Sequence, residues 1–131
     1  MKLSAWYGII LVALLGVSCA TVAGMRNTRG EGVVKTFHHT YGQVIQATID
    51  AAKLQKLELE EGGPDDYYII LKQTANERSE GELVAVFFAE KNDGIDVEIV
   101  SKRRLALEFW AKNWTASMFR AIEMELGKLG D

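Results

Sequence analysis

The feature that most limits the fold of this chain is a series of four strand-like segments between residues 56 and 100, joined by short connections. Strict alternation or β-branched and aromatic enrichment predicts strands over 56–60, 67–74, 82–91 and 95–100. The connections are a turn cluster over 61–66, a polar loop, and Asn92-Asp93-Gly94, whose Asp-Gly pair is typical of a tight hairpin. Parallel neighbours need a long crossover, so the sequence predicts antiparallel pairing.

Two helices and one further strand are predicted around this series. A strand over 33–38 precedes a helix that begins at Thr40, where Thr40 and Gln43 have the spacing of a capping box. This helix is expected to end near Lys53 or Leu54. A long C-terminal helix is predicted over 105–129, with Gly130 as its stop. The apolar stripe of the first helix is Tyr41, Val44, Ile45, Thr48, Ile49 and Ala52; that of the second is Leu107, Ala111, Trp114, Met118, Ile122 and Leu129, widened by Trp110, Phe119 and Leu126.

The predicted order is therefore β-α-β-β-β-β-α. It indicates an α+β fold with two layers, an antiparallel sheet of about 4–5 strands and helices on one face. A sheet with one apolar face needs a cover, and the C-terminal helix supplies the largest one. We expect Trp114 and Met118 to be buried against the sheet. In the last strand, Ile95, Val97 and Ile99 are expected to face the core, with Asp96 and Glu98 facing water.

The N-terminus has the layout of a secretory signal. Lys2 supplies a positive charge, residues 5–15 are hydrophobic, and Gly16-Val17-Ser18 leads to Cys19, the only cysteine. Two other interpretations are an uncleaved anchor helix, because residues 5–23 are long enough to span a bilayer, and a secreted protein with an incidental cysteine.

The order of residues 16–19 resembles the lipobox of bacterial lipoproteins, although Gly16 stands where leucine is commoner. The resemblance implies cleavage between Ser18 and Cys19 and lipid attachment at Cys19. Two or three acyl chains anchor a protein stably. Ala20 and Thr21 lack the aspartate that retains lipoproteins at the inner membrane, which favours the outer membrane. The element order is similar to helix-grip domains, to those of a lipoprotein of the outer-membrane β-barrel assembly machinery, and to small proteobacterial lipoproteins of unknown function.

The predicted organisation is a signal peptide over 1–18, a lipidated cysteine with a flexible tether over 19–32, and a single domain over 33–131. Residues 20–32 show no sustained periodicity and carry three glycines, so we expect them to form a flexible tether between lipid and domain. Fully extended, these thirteen residues would reach about 45 Å.

Charge and residue types exclude several classes of function. Removal of residues 1–18 takes away one basic residue, Lys2, so 14 basic and 18 acidic residues remain; this balance argues against a nucleic-acid partner. A single cysteine excludes an internal disulfide and a cysteine-cluster metal site. His38 and His39 are neighbours that point to opposite faces, so we predict no metal and no cofactor. Glu125 falls in the apolar stripe, but no catalytic residue is predicted because no catalytic spacing is present.

Lys102, Arg103 and Arg104 form a basic run, predicted to be a loop that contacts anionic lipid headgroups or an acidic partner. The leading hypothesis is a non-enzymatic, lipid-anchored envelope protein, which attaches to the membrane at Cys19 and binds another envelope protein. A carrier for a hydrophobic ligand beneath the C-terminal helix and a single-pass protein with an uncleaved anchor are the alternatives.

Overall fold

The computed structural model describes residues 21–74, 81–103 and 114–129. Their elements, in chain order, are α1 (Val22–Met25), β1 (Val33–Phe37), α2 (Tyr41–Leu54), β2 (Leu57–Gly63), a 3₁₀ turn (Pro64–Asp66), β3 (Tyr68–Gln73), β4 (Glu82–Lys91), β5 (Gly94–Arg103) and α3 (Thr115–Gly127). The five strands form one antiparallel sheet in the order β1-β5-β4-β3-β2. The predicted α+β class and antiparallel sheet are confirmed.

The sheet combines local hairpins with one long-range pairing. Strands β2 to β5 follow one another as a meander, and the predicted hairpin places Lys91 opposite Gly94. Strand β1 comes first in the sequence but pairs with β5, with Val33 opposite Ile99 and Phe37 opposite Ile95. The two edges of the sheet are therefore β1 and β2.

Helices α2 and α3 cover one face of the sheet, called here the helix face. The predicted capping box is present at α2: Thr40 Oγ1 accepts a hydrogen bond from the Gln43 N–H at 3.2 Å, and Gln43 Oε1 accepts one from the Thr40 N–H at 3.1 Å. Trp114 and Met118 are buried, as predicted, in a core with the inward side chains of all five strands. Val44, Ile45, Thr48 and Ala52 of the predicted α2 stripe are also buried.

Several element boundaries differ from the sequence-based expectation. β2 continues through Gly63, where a turn is predicted, after a bulge between Leu59 and Glu61. Gly62 makes this possible: its φ is 88°, and a Cβ there would lie 2.3 Å from the Tyr68 carbonyl oxygen. β5 extends to Arg103, so Lys102 and Arg103 lie in a strand instead of the predicted loop. In the described part of the predicted C-terminal helix, α3 spans Thr115–Gly127; residues 105–113 and Gly130 lie outside the described residues.

The segment over 21–32, called here the lead segment, is not the flexible tether that the sequence analysis predicts. It forms α1 and packs on the face of the sheet opposite α2 and α3, called here the outer face. Met25 is only 1% exposed there. It joins a second apolar cluster made of Ile70, Leu83, Ala85, Phe87 and Val100. The outer face is apolar at its centre, so burying it stabilises the ordered lead segment.

Candidate functional site

The lead segment is held to the outer face by the carboxylate of Glu98. The Gly30 N–H donates to both carboxylate oxygens, at 2.9 and 2.7 Å, and the Gly32 N–H donates to Oε2 at 2.8 Å. Glu98 was expected to face water but is 7% exposed, because the lead segment covers it. A Cβ on Gly32 would lie 2.2 Å from the Ile99 carbonyl oxygen, so only glycine fits this close approach.

Three charged side chains add contacts around this attachment. Arg26 pairs with Glu61 of β2, and the Arg29 guanidinium lies 4.7 Å from the centre of the Phe87 ring. Lys102 Nζ lies 2.9 Å from Glu31 Oε1. Exposed ion pairs each contribute about 0–1 kcal/mol, so Met25 and Glu98 provide most of the hold on the lead segment.

Of the candidate site residues singled out from the sequence, Lys102 and Arg103 lie in the described part of the chain. Ser18, Cys19 and Arg104 lie outside the described residues. Two residues, Cys19 and Ala20, stand between the predicted cleavage point and the start of the described chain at Thr21. Lys102 and Arg103 lie opposite Leu83 and Glu82 on β4, and Lys102 is engaged with the lead segment itself.

The edge at β2 carries an apolar groove between this strand and α2. The groove has a volume of about 290 Å³ and is lined by Ile49, Ala52, Lys53, Leu57, Leu59 and Leu71. Leu59 is 53% exposed although it lies on the helix face of the strand. Glu58 and Glu60 are exposed and have no hydrogen-bond or ion-pair partner in the described part of the chain. This groove was not predictable from the sequence, because periodicity does not reveal where a helix stops short of a sheet edge.

A second groove, of about 320 Å³, lies between α2 and the end of α3. Asp50 and Glu125 line it, and Glu125 Oε1 accepts a hydrogen bond from Lys128 Nζ at 2.8 Å. The position of Glu125 in the apolar stripe is thus explained by a local ion pair at the rim of this groove.

Two stacked tyrosines lie near the opposite end of β2. The rings of Tyr41 and Tyr67 are 4.5 Å apart and nearly parallel, at 6°. The Tyr41 hydroxyl donates to the Pro64 carbonyl oxygen at 2.6 Å. Burial, and then the negative charges around the ring, raise the pKa of Tyr41 to about 12. The neighbouring carboxylate of Glu90 likewise raises the pKa of Tyr67.

One histidine and two side chains of α3 make structural contacts. His38 Nδ1 lies 2.8 Å from the Asp93 carbonyl oxygen, which can only accept, so the ring donates and ties β1 to the β4–β5 hairpin. Residues 21–74, 81–103 and 114–129 contain no group of three or more side chains that could hold a metal ion. Met118 and Ile122 are fully buried in the core with sheet residues, so these side chains do not line an open ligand pocket.

No protein-family model matches this chain, and no curated protein matches it. Among the described residues, which begin at Thr21, no helix is long and apolar enough to cross a membrane.

Proposed function

We propose that this protein is a lipid-anchored cell-envelope protein whose α+β domain is held close to the membrane surface and acts as a non-enzymatic interaction module. The proposal rests on the lipobox-like residues 16–19 together with one structural observation, the docking of the lead segment on the outer face through Met25 and Glu98. Its partners are the membrane, through Cys19, and an envelope protein.

Docking of the lead segment shortens the expected distance between the lipid anchor and the folded domain. With residues 21–32 packed on the sheet, only Cys19 and Ala20 separate the lipid from the folded domain, a span of about 7 Å at full extension. A domain on so short a connection stays near the headgroups and presents a restricted set of orientations. A partner in the same membrane then meets this domain at a raised effective concentration.

The basic run over 102–104 should attract anionic headgroups less strongly than its three charges suggest. Lys102 Nζ already pairs with Glu31, so part of its charge is compensated within the domain. We keep contact of Lys102, Arg103 and Arg104 with anionic headgroups as part of the proposal, as a secondary and salt-sensitive contribution.

The anchor is tested through Cys19. Globomycin, or the Cys19→Ala substitution, is expected to leave a larger precursor without lipid, whereas the untreated protein gains lipid at Cys19. Normal maturation of the Cys19→Ala protein would contradict lipidation. An uncleaved single-pass anchor would instead show the same precursor mass with and without globomycin.

The short connection is tested by a distance measurement in liposomes. In the mature lipoprotein Cys19 is a thioether, so a cysteine placed at exposed Met124 is the single reactive thiol for a fluorescent label. Energy transfer to an acceptor lipid should report one narrow distance. A flexible spacer of about ten glycine and serine residues after Ala20 should broaden and lengthen it; an unchanged distribution would contradict the close arrangement.

The carrier alternative is separated by native mass spectrometry of the full chain released from detergent. A carrier would retain a lipid in fixed stoichiometry beyond the chains attached at Cys19. It would also require the buried Met118 and Ile122 to move, because they fill the space between α3 and the sheet.

A further inference from the structure

The strand β2, at one edge of the sheet, has features that suit one kind of partner protein. We propose that β2 receives an extended segment of a partner protein as a sixth strand, and that the residues of this segment alternate between apolar and basic. The inference rests on the proposed role as an interaction module and names the kind of partner that such a module would bind.

The backbone of β2 offers the hydrogen bonds. Within the described residues β2 pairs with β3 alone. In an antiparallel sheet, alternate residues of an edge strand direct their N–H and C=O groups away from the neighbouring strand, which is the template for strand addition. The bulge between Leu59 and Glu61 interrupts the regular edge, so pairing is expected along the stretch over 57–60.

The groove beside β2 supplies the apolar half of the recognition. Side chains of an added strand alternate between the two faces of the sheet, and those on the helix face would enter the space bounded by Ile49, Leu59 and Leu71. Leu59 is half exposed in the free protein and would lose most of this exposure against an apolar neighbour. Lys53 also lines the groove, so basic side chains are disfavoured on this face.

Two carboxylates of β2 favour basic side chains on the outer face of the added strand. Glu58 lies on the outer face of β2, opposite Lys72 of β3, and Glu60 occupies the bulge. Both carboxylates are exposed and make no ion pair with any described residue. Lysine or arginine on the outer face of an added strand would lie beside them, and opposite charges on neighbouring strands stabilise pairing.

The same charges disfavour a second copy of this chain. Pairing β2 with β2 of another copy would bring Glu58 and Glu60 against the equivalent carboxylates, and like charges on neighbouring strands are destabilising. The other edge, β1, exposes Val33 and Val34, but its charged residue is Lys35 and it carries no carboxylate, so it does not offer the same charge pattern. The charge pattern therefore selects a different, basic partner at β2.

The experiment uses the full chain in a non-ionic detergent and a synthetic peptide of about seven residues that alternates valine and lysine. Binding is followed by fluorescence anisotropy, and hydrogen exchange locates the contact. We expect slower exchange of backbone amides over 57–60. A matched peptide that alternates valine and glutamate, and one N-methylated at alternate amides, should bind at least about tenfold more weakly, because they lose the charge pairs or the backbone hydrogen bonds.

Variants test the two halves of the site separately. Glu58→Gln with Glu60→Gln should weaken binding by about two- to thirtyfold, as expected for two cross-strand charge pairs. Leu59→Gln should weaken it as well. Met124→Gln, which also changes an exposed apolar residue, should leave it unchanged.

Equal binding of the lysine, glutamate and N-methylated peptides, or protection confined to β1, would overturn the proposal without any variant being made. These measurements do not depend on lipid, so the Cys19→Ala protein should give the same affinities. Their failure and a failure of lipidation at Cys19 are therefore distinguishable.

Discussion

The Glu98 carboxylate accepts a hydrogen bond of 2.7 Å from the backbone N–H of Gly30, 68 residues earlier in the chain. The contact joins the central part of β5 to the segment that leads to Cys19. Hydrogen bonds from backbone N–H groups to a carboxylate are stronger than those between neutral groups. This one side chain thus links the stability of the sheet to the position of the N-terminus.

Replacing Glu98 by glutamine should loosen the lead segment. The amide offers one oxygen and two N–H donors to Gly30 and Gly32, whose N–H groups both need acceptors. We expect a loss of about 1.5–3 kcal/mol in the free energy of unfolding, with faster hydrogen exchange at both glycines. Urea unfolding measures the first quantity. Glu58→Gln is the control, because that carboxylate has no described partner, and an equal effect of both substitutions would contradict this role of Glu98.

Two glycine substitutions should act in opposite directions. Gly32→Ala places a methyl group 2.2 Å from the Ile99 carbonyl oxygen, so the lead segment must shift and stability should fall. Gly42→Ala lies in the first turn of α2 with nothing within 4 Å of the new Cβ. It should raise stability by about 0.4–1 kcal/mol, because alanine favours the helix and restricts the unfolded chain. Thermal denaturation compares the two, and a stabilising Gly32→Ala would disprove the close approach.

Two methionines of α3 provide a matched pair for the orientation of that helix. Met118 is 0% exposed and Met124 is 68% exposed. Met118→Ala should cost about 2–5 kcal/mol, the range for a buried methionine, whereas Met124→Ala should change stability by at most about 0.5 kcal/mol. Denaturant unfolding gives both values. Similar effects would mean that α3 does not present this face to the sheet.

Alkaline pH should destabilise the domain through Tyr41. The pKa of this group is about 12 in the folded protein, against 10.0 as its ordinary value. The contribution to stability is therefore fully present below pH 10 and is lost as the pH rises from 10 to 12. Stability measured across this window should fall less steeply for Tyr41→Phe. When phenolate absorbance is titrated, the step at the highest pH should be missing in this variant. If that step persists, it belongs to another tyrosine.

Strand periodicity and turn residues were enough to predict the α+β class, the antiparallel sheet and the capping box of α2. They also predicted burial of Trp114 and Met118, because an apolar stripe of this length must be buried against another apolar surface, here the sheet. Element ends were less predictable. The bulge that carries β2 on to Gly63 depends on the left-handed backbone of Gly62, which looks like a turn residue in the sequence.

The docked lead segment was missed although a signal for it exists. Residues 83–88 (LVAVFF) are apolar without alternation, which is typical of a strand buried on both faces. The prediction of one covered face left Leu83, Ala85 and Phe87 without a partner, and Met25 is among the residues that cover them. The hold of Glu98 on Gly30 and Gly32 was not predictable, since nothing in local periodicity joins residues so far apart.

The pairing of the first strand with the last determines when this domain can form during synthesis. During synthesis the N-terminus emerges first, so the lead segment and β1 are exposed before the rest of the sheet. Their hydrogen-bond partners come much later: Thr36 bonds to Asp96 over a separation of 60 residues, and Gly30 bonds to Glu98 over a separation of 68 residues. Until β5 has emerged, Val33 and Val34 have no neighbouring strand and Met25 has no complete apolar surface on which to pack. Truncation before Gly94 therefore removes the strand that pairs with β1 and holds Gly30 and Gly32, so we expect the lead segment of incomplete chains to stay open to processing enzymes and proteases alike.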